Sequence, residues 1–322
     1  MLSRVGHRTR HRRVRATARA VGTLVSVALA ALAAWSVAGC SAGGDADAPL
    51  AAPPGRLRVV SINPSLTAIL LALDAADVLV GVDDFSAAQQ PQVAHLPRVG
   101  GLFNPSLEGV AALQPDVVVL VPSVEQRDFK ERLTRLGVDV VAFDNIRFEQ
   151  VLRNIAELGA LVDRVDLATE RIAAIRASRA AAEEFTRGKP RPRTVIVLQR
   201  DPVFAVGRGS FLDELLTAAG GDNLGAQFDD AYPQVAVEWL VDAAPEVLID
   251  MTDEPGDPLE FWSRWPAIPA VAAGRVLHLD PKTVTLPGPY LDRSLAEMVE
   301  ALHGRAAAAW LLAHARDGRS AR

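Results

Sequence analysis

Side chains that could perform catalysis are few and scattered in this sequence. Beyond position 40 it contains His95, His278, His303 and His314, and no two of them have the spacing of a zinc-binding pair such as HExxH. Cys40 is the only cysteine, and no GxSxG, P-loop or GxGxxG motif occurs. The sequence therefore predicts a protein that binds a ligand without converting it, with no resident metal or cofactor.

Polar residues beside predicted strands are better candidates for binding. Asn63-Pro64-Ser65 and Asn104-Pro105-Ser106 each read as a helix N-cap followed by proline at the first helical position. Both lie where strands should end, and ligands of open α/β sheets bind at carboxyl ends of strands. The stretch Gly207-Arg208-Gly209-Ser210 opens a helix and could hold an anion, although such a stretch is more often a tight turn.

Aromatic residues are scarce and stand on predicted loops. Phe85 and Phe103 lie in a long polar stretch, and Tyr232 precedes Pro233 in the corresponding loop of the second half. Aromatic rings on loops that face a cleft offer flat apolar surface to a ligand. Trp262 and Trp265 lie in a further loop, and for this pair we favour packing at the edge of the fold.

The two halves of the sequence resemble each other. The segment from Leu107 to Val117 matches the segment from Val237 to Val247, with Glu108 and Glu238 each seven positions before a proline. In both, an acid opens a short helix, where the helix dipole favours it, and a buried strand follows the proline. The match indicates pseudo-symmetric lobes with equivalent glutamates, and chance similarity of two helix-to-strand units is the alternative.

Valine-rich runs alternate with helix-length segments, which favours parallel sheets covered on both faces. Strands are predicted at Leu57–Ile62, Val78–Val82, Asp116–Val121, Val138–Phe143, Thr194–Gln199, Glu246–Asp250 and Arg275–Leu279. Helices are predicted at Ser65–Leu73, Glu125–Leu136, Ser210–Ala219 and Tyr290–Leu302. We predict an α/β fold of two Rossmann-like lobes with mainly parallel sheets.

Between the two series, residues 148–187 contain no proline and show apolar residues at spacings of three and four. They predict a long helix that joins an N-terminal lobe (57–147) to a C-terminal lobe (188–303). The tail, 304–322, is rich in alanine and arginine and is expected to fray.

The N-terminus predicts export. Seven arginines lie in the first 20 residues, and no charged residue occurs from Ala20 to Gly39. Val37-Ala38-Gly39-Cys40 resembles the lipoprotein cleavage box, which makes Cys40 the lipidation site, residues 1–40 a signal peptide and 41–56 a flexible tether. An uncleaved transmembrane anchor is the alternative, and Arg12-Arg13 hints at twin-arginine export. Every version places the domain outside the cytoplasm.

Charge excludes one class of partner. Without the leader, 27 basic residues stand against 39 acidic ones. A nucleic-acid-binding surface needs concentrated positive charge, so nucleic acid is not an expected partner.

Several motifs together resemble one known family. They are Arg58 to Thr67, Leu96 to Gly101, Asn104 to Val118, Val206 to Leu212, Ala219 to Asn223, Tyr232 to Glu238 and Pro287-Gly288-Pro289. These are similar to the class III, helical-backbone solute-binding proteins of ABC importers, which carry vitamin B12, ferric siderophores or haem. The resemblance covers nearly all of Leu57 to His303.

The resemblance implies two lobes joined by one long helix, with a ligand in the cleft between them. It also implies that Glu108 and Glu238 dock onto arginines of a permease dimer that works with its ATPase subunits. The implied ligand-contacting residues are Phe85, Phe103, Arg208 and Tyr232, beside the strand-end residue Asn63.

The implied ligand is a corrinoid first and a ferric siderophore second, so any cobalt or iron would arrive with the ligand. The Pro-Gln-Val motif after Tyr232 is similar to the vitamin B12-binding branch. Gly100-Gly101 and Lys282-Thr283 depart from that branch, which has aromatic residues there. Phe103 stands where haem binders carry a ligating tyrosine, which disfavours haem. An enzyme, or a lipoprotein that binds another protein, is the alternative from a different class.

Overall fold

The computed structural model describes residues 55–122 and 127–320 of the 322-residue chain. The predicted signal peptide, the lipidation site Cys40 and most of the predicted tether lie outside these residues. None of the described helices is both long and apolar enough to cross a membrane.

The N-terminal half forms a four-stranded parallel sheet. Its strands run in the order β2-β1-β3-β4, with β1 at Val59–Ile62, β2 at Leu79–Val82, β3 at Val117–Leu120 and β4 at Asp139–Ala142. Every residue of β1 and β3 is buried, which explains their continuous apolar sequence. The connecting helices are α1 (Pro64–Ala72), α2 (Asp84–Gln89), α3 (Leu107–Ala112) and α4 (Arg127–Arg135).

Two helices, and not one, occupy the predicted helical segment 148–187. Helix α5 spans Phe148–Leu161 and helix α6 spans Val165–Thr186, so the long connecting helix of the fold is α6, which is 22 residues long. The chain turns between them at Asp163, whose φ is 57°. Gly159 makes the turn possible, because a Cβ atom there would lie 2.5 Å from the Cβ atom of Ala168 at the start of α6.

The C-terminal half forms a six-stranded mixed sheet. The strands are β5 (Arg193–Arg200), β6 (Val203–Ala205), β7 (Asp222–Asn223), β8 (Gln234–Val235), β9 (Val247–Asp250) and β10 (Val276–His278). The order is β10-β9-β5-β6-β8, with β7 also paired to β5; β6 is antiparallel to both of its neighbours, β5 and β8, and the other pairs are parallel. The predicted α/β fold with two mainly parallel sheets is therefore confirmed.

Seven helices of the described residues follow the long helix. They are α7 (Phe211–Ala218), α8 (Val237–Ala243), α9 (Pro258–Trp262), α10 (Pro269–Ala272), α11 (Pro281–Val284), α12 (Leu291–His303) and α13 (Arg305–Ser320). Trp262 at the end of α9 is fully buried and lies beside Trp265, as the packing interpretation of this pair expected.

The C-terminal tail does not fray within the described residues. Helix α13 packs against α6 and α12 through Ala307, Ala308 and Leu311, all of which are buried. The ring of Trp310 lies 5.3 Å from that of Phe185 near the end of α6. The alanines that suggested a fraying tail have small side chains, which allow close helix packing instead.

One apolar cluster links the two halves. It extends from β1 and α1 through Phe148, Ile155 and Ile175 on the two connecting helices to α7 and α12. Two smaller clusters, one per half, lie apart from it. Because the connecting helices contribute to this shared core, we expect the two sheets to keep a nearly fixed arrangement.

Candidate functional site

The two halves meet through direct hydrogen bonds between the start of α5 and the start of α7. The backbone N–H of Phe211 donates to the carbonyl oxygen of Ile146 at 2.7 Å. The N–H of Phe148 donates to the carboxylate of Glu214 at 3.2 Å, and Arg179 of α6 pairs with the same carboxylate at 3.1 Å. These bonds hold the segment that follows β4 against the C-terminal half.

A cavity of about 280 Å³ lies at this junction. The N-terminal half contributes the segment just after β4, and the C-terminal half contributes β5, the start of α7, one loop aromatic and the segment before α12. Most of the lining is apolar, and the polar groups are an amide and two hydroxyls. The lining residues are Asn145, Ile146, Leu198, Phe211, Leu212, Tyr232, Thr285 and Pro287. Such a mostly apolar cavity with a few polar groups is typical of a small-molecule site.

Tyr232 is the predicted ligand-contacting residue that lines this cavity. Its backbone N–H donates to Asp230 at 3.0 Å, and its ring packs against the shared core. Burial raises the pKa of Tyr232 to about 12, so its hydroxyl stays protonated at neutral pH. Tyr232 therefore offers a ligand one apolar face and one neutral hydrogen-bonding group.

Asn63 lies one contact away from the cavity. It caps α1, and its Oδ1 accepts the N–H of Ser65 at 2.9 Å. The hydroxyl of Ser65 accepts a hydrogen bond from the side-chain amide of Asn145 at 3.3 Å, and Asn145 lines the cavity. In this structure Asn63 positions the wall of the site through Ser65.

The remaining predicted residues are not part of the cavity lining. Phe85 in α2 is 47% exposed, and Phe103 in the loop before α3 is 69% exposed. The Arg208 side chain is 60% exposed; its Nε donates to the carbonyl of Ala226 at 2.6 Å and its Nη1 lies 3.5 Å from Asp229. The structure thus places Tyr232 in the cavity wall and Asn63 one contact behind that wall, and leaves these three side chains exposed.

Several lining residues were not predicted, although one signal was present. Asn145 and Ile146 follow β4 at its carboxyl end, as Asn63 follows β1. Like Asn63, they lie at the carboxyl end of a strand, where ligands of open α/β sheets bind. Leu198, Phe211 and Leu212 carry no such signal, because an apolar side chain looks the same in sequence whether it faces the core or a ligand.

A second cavity of about 310 Å³ lies in the C-terminal half beside the start of α12. Its lining includes Lys282 and Thr283. Lys282 lies 3.4 Å from Asp253, and Thr283 donates to Glu297 at 2.9 Å. The full lining is Lys282, Thr283, Leu286, Gly288, Pro289, Tyr290, Arg293 and Glu297.

A buried polar network anchors the edge of the N-terminal sheet. Asp83 follows β2 and caps α2: its carboxylate accepts the N–H groups of Phe85 and Ser86 at 2.9 and 3.0 Å and the hydroxyl of Ser86. Thr67 connects Ser86 to Ser61 at 2.9 and 2.8 Å. Burial raises the pKa of Asp83, and this outweighs the lowering by the hydrogen bonds from Ser86 and Phe85.

A buried ion pair lies at the carboxyl ends of two interior strands of the C-terminal sheet. Arg200 ends β5, Asp250 ends β9, and the Nε of Arg200 lies 2.9 Å from the Asp250 carboxylate. Trp262 and Thr252 also donate to this carboxylate, each at 2.7 Å. Burial alone would raise the pKa of Asp250. The hydrogen bonds from Arg200, Trp262 and Thr252 lower it by more, so the net pKa lies below its ordinary value.

The two predicted docking glutamates occupy equivalent surface positions. Glu108 and Glu238 are exposed and lie in the first turns of α3 and α8. After these helices, Gln114 and Ala244 adopt the same left-handed backbone, with φ of 46° and 47°, directly before the proline. The repeated sequence therefore has a repeated backbone conformation.

Side-chain contacts repeat as well. Arg58 before β1 donates from Nη2 to the carbonyl of Leu113 at 2.7 Å, and Arg193 at the start of β5 donates to the carbonyl of Ala243 at 2.6 Å. Leu113 and Ala243 are matching positions of the two repeats. Chance similarity would not reproduce both an arginine cap and a left-handed residue, so the two units are structurally equivalent.

Within residues 55–122 and 127–320, no group of three or more His, Asp or Glu side chains is arranged to hold a metal ion.

Comparisons with known proteins agree with this geometry. A family model described as periplasmic binding protein matches residues 59–283. The vitamin B12-binding protein of Vibrio campbellii is 25% identical over 255 residues, which cover 79% of this chain and 92% of that protein. A cobalamin-binding protein of Halobacterium salinarum is 26% identical over 262 residues, covering 76% of this chain and 69% of that protein.

Solved structures share the fold. The periplasmic vitamin B12-binding protein of Vibrio cholerae superposes with a TM-score of 0.66 at 22% identity, covering 76% of this chain and 96% of that one. The apo haem-binding protein from Roseiflexus sp. RS-1 gives 0.68 at 23% identity, covering 79% and 100%. With two sheets, a connecting long helix and matching motifs throughout, the chain belongs to the periplasmic binding protein family, among the class III solute-binding proteins of ABC importers.

Proposed function

We propose that this chain is the lipid-anchored, extracytoplasmic binding protein of an ABC importer and that its ligand is a metal chelate, a corrinoid first. The observation that carries the proposal is the cavity at the carboxyl ends of the strands, lined from both halves of the chain. The proposed anchor is a lipid on Cys40, which would keep the domain close to the permease after the signal peptide is removed.

The corrinoid assignment is supported by the names of the relatives and by the cavity wall. Two of the relatives reported above bind vitamin B12 or cobalamin by name. Tyr232, Phe211 and Leu198 supply the apolar surface that a macrocycle needs. A corrinoid is larger than this open cavity of about 280 Å³, and we propose that it also contacts the exposed Phe85 and Phe103 after a small movement of the halves.

A ferric siderophore is the second candidate, and a specific observation favours it. The guanidinium of Arg208 is exposed near the junction, where it could pair with a chelate that carries negative charge. A corrinoid and a siderophore differ in ring structure and charge, so binding measurements separate them directly.

The test is a thermal-shift screen of residues 55–322 against cyanocobalamin, dicyanocobinamide, ferric siderophores and haem. A ligand that binds the folded state raises the melting temperature by an amount set by its concentration relative to its Kd. Tyr232→Ala should weaken binding of the ligand by at least tenfold, about 1.4 kcal/mol. Leu136→Ala, a change at an exposed apolar residue after α4 and outside both cavities, serves as the control. The proposal fails if none of these chelates stabilises the protein at hundredfold excess.

A further inference from the structure

The segment 285–290, which joins α11 to α12, contributes to both cavities. Thr285 and Pro287 line the cavity between the halves. The residues of the segment that line the second cavity are Leu286, Gly288, Pro289 and Tyr290. The segment is therefore a thin wall, with the candidate ligand site on one side and a cavity of about 310 Å³ on another.

Few contacts hold this wall in place. Residues 286–289 take part in no backbone–backbone hydrogen bond among the residues that the structure describes, and Pro287 and Pro289 have no N–H to donate. Leu286, the large apolar side chain of these four residues, belongs to none of the three apolar clusters of the described halves. A segment with this little support can shift towards the second cavity unless another group fixes it.

Arg171 of the long helix α6 is the group that fixes the wall. Its Nε donates to the carbonyl oxygen of Pro289 at 2.5 Å, and this is the one hydrogen bond of residues 286–289 within the described part of the chain. Its Nη2 pairs with the carboxylate of Asp292 in the first turn of α12. A single guanidinium therefore binds both the wall and the helix that follows it.

The surroundings of Arg171 strengthen this contact. The side chains of Arg171 and Asp292 are 20% and 16% exposed, so water and salt screen their ion pair less than pairs at the surface. The guanidinium also lies 5.8 Å from the centre of the Tyr290 ring. Because α6 contributes to the core shared by both halves, Arg171 fixes the wall relative to both.

The wall also reaches the N-terminal half. A Cβ atom at Gly288 would lie 3.7 Å from the carbonyl oxygen of Ser65, so the wall lies against the first turn of α1. The hydroxyl of Ser65 accepts from the side chain of Asn145, which lines the cavity between the halves. A shift of the wall would thus change the cavity lining that each half contributes.

We propose that Arg171 is a positioning residue of the ligand site, which lines neither cavity but holds segment 285–290 in place as the wall of the site. An arginine suits this task because its planar guanidinium binds a carbonyl and a carboxylate at once in fixed directions, whereas a lysine presents one compact ammonium. The inference rests on the proposed function for the bound ligand, whereas the position of the wall is measurable without a ligand.

The first experiment measures the wall itself. Cys40 is the only cysteine, so Thr285→Cys in the full chain with Cys40→Ala places a single thiol in the wall. Its reaction with N-ethylmaleimide, a neutral reagent, is followed alone and with Arg171→Gln, Arg171→Lys, Asp292→Asn or Arg176→Gln added. Arg176 lies in an exposed ion pair on the same helix and is the matched control. We expect a rate increase of about tenfold with Arg171→Gln, smaller increases with Arg171→Lys and Asp292→Asn, and none with Arg176→Gln.

The second experiment measures binding. Cyanocobalamin, dicyanocobinamide, ferric siderophores and haem are titrated into the wild type and into the same variants at 171, 292 and 176, below their melting temperatures. For each chelate that binds the wild type, Arg171→Gln should lower the affinity by about tenfold, Arg171→Lys should restore part of it, and Arg176→Gln should bind normally. A role in stability alone would lower the melting temperature without changing the affinity of the folded protein.

The outcomes separate this inference from the proposed function. An unchanged thiol reaction rate in Arg171→Gln, an equal rise in Arg176→Gln, or unchanged chelate affinity in folded Arg171→Gln overturns the role of Arg171. A rate that rises in Arg171→Gln and is partly restored in Arg171→Lys, with no chelate bound by the wild type, supports the held wall and rejects the proposed ligand class.

Circular dichroism establishes whether each variant is folded. Asp292→Asn leaves the bond from Arg171 to Pro289 in place, so it tests the wall even if Arg171→Gln does not fold. In that case, unchanged thiol reaction rates in both Arg171→Lys and Asp292→Asn overturn the proposal.

Discussion

The ion pair between Arg200 and Asp250 is a buried polar contact that joins two strands of the C-terminal half. Both side chains are buried, and the Asp250 carboxylate accepts from Arg200, Trp262 and Thr252. Asp250→Asn would leave the Arg200 charge buried, with Glu254 at 3.6 Å as its remaining carboxylate partner. We expect the free energy of unfolding to fall by about 3–5 kcal/mol, measured by urea denaturation at pH 7.

Asp253→Asn is the control for this prediction, because Asp253 is exposed and should change stability by about 0.5 kcal/mol or less. The lowered pKa of Asp250 adds a pH dependence to the wild type. Its contribution is present above the unfolded-state pKa and is lost as the pH falls through the folded-state value, so it should disappear in strong acid. A fall of less than about 1 kcal/mol in the free energy of unfolding of Asp250→Asn would show that the ion pair contributes little to stability.

Asp83 should give stability the opposite pH dependence to that of Asp250. Its raised folded-state pKa means that folding favours the protonated carboxyl, so its contribution is fully present below the unfolded-state pKa and is lost as the pH rises through the folded-state value. Asp83→Asn keeps an acceptor for the N–H groups of Phe85 and Ser86 and supplies a donor to the Ser86 hydroxyl. We expect this variant to be at least as stable as the wild type at pH 7.

The measurement is the free energy of unfolding from pH 4 to pH 8. As the pH rises, the wild type should lose stability relative to Asp83→Asn, while Asp84→Asn, a change at the exposed neighbouring residue, should follow the wild type. A variant that is clearly less stable than the wild type at pH 7 would mean that the carboxylate is ionised and needed in the folded state.

At the scale of the element, the packing of helix α13 can be tested through its contribution to stability, which a fraying tail would not make. Leu311 is fully buried between α13 and its neighbours, whereas Leu312 beside it is 46% exposed. Leu311→Ala should lower the free energy of unfolding by about 2–5 kcal/mol through the lost burial and the cavity left behind. Leu312→Ala should cost about 1 kcal/mol or less, and equal effects of the two changes would show that α13 does not pack as described.

Element types were predictable wherever a local signal exists. The runs at Val59–Ile62 and Val117–Leu120 are apolar because both faces of their sheet are covered, and Asn63-Pro64-Ser65 begins a helix through its own side-chain and ring geometry. The break at Asp163 was not predictable, because it depends on how α6 packs against Gly159. Helix α13 was missed for the same reason: the partner that buries its alanines is α6, more than a hundred residues earlier.

The site was predictable to a smaller extent. Tyr232 and Asn63 were found because a loop aromatic and a strand-end cap leave a signal in the sequence. Phe211 leaves none, since an apolar residue at the start of a helix is ordinary until the structure places it against Ile146 of the other half. Contacts between the halves are set by the arrangement of whole elements, and no local sequence pattern encodes that arrangement.

At the scale of the whole molecule, the internal repeat gives the protein two equivalent faces. Glu108 and Glu238 lie in matching first turns, and the helix ends after them are fixed by matching arginine caps. In the proposed docking onto a permease dimer, two exposed carboxylates at equivalent positions would each meet one of the paired subunits. Exposed charges of this kind set orientation and partner choice more than they set stability.

We therefore predict that Glu108→Ala and Glu238→Ala leave ligand affinity and melting temperature unchanged but reduce ligand uptake by cells, by about tenfold when combined. The loss should exceed that of either single change, because each glutamate would contact a different subunit. Asp242→Ala, an exposed acid on the same helix as Glu238, is the control and should transport normally. If the double variant instead loses ligand in a binding assay, or transports as well as Asp242→Ala, the glutamates do not dock the permease and their equivalence reflects the repeated fold alone.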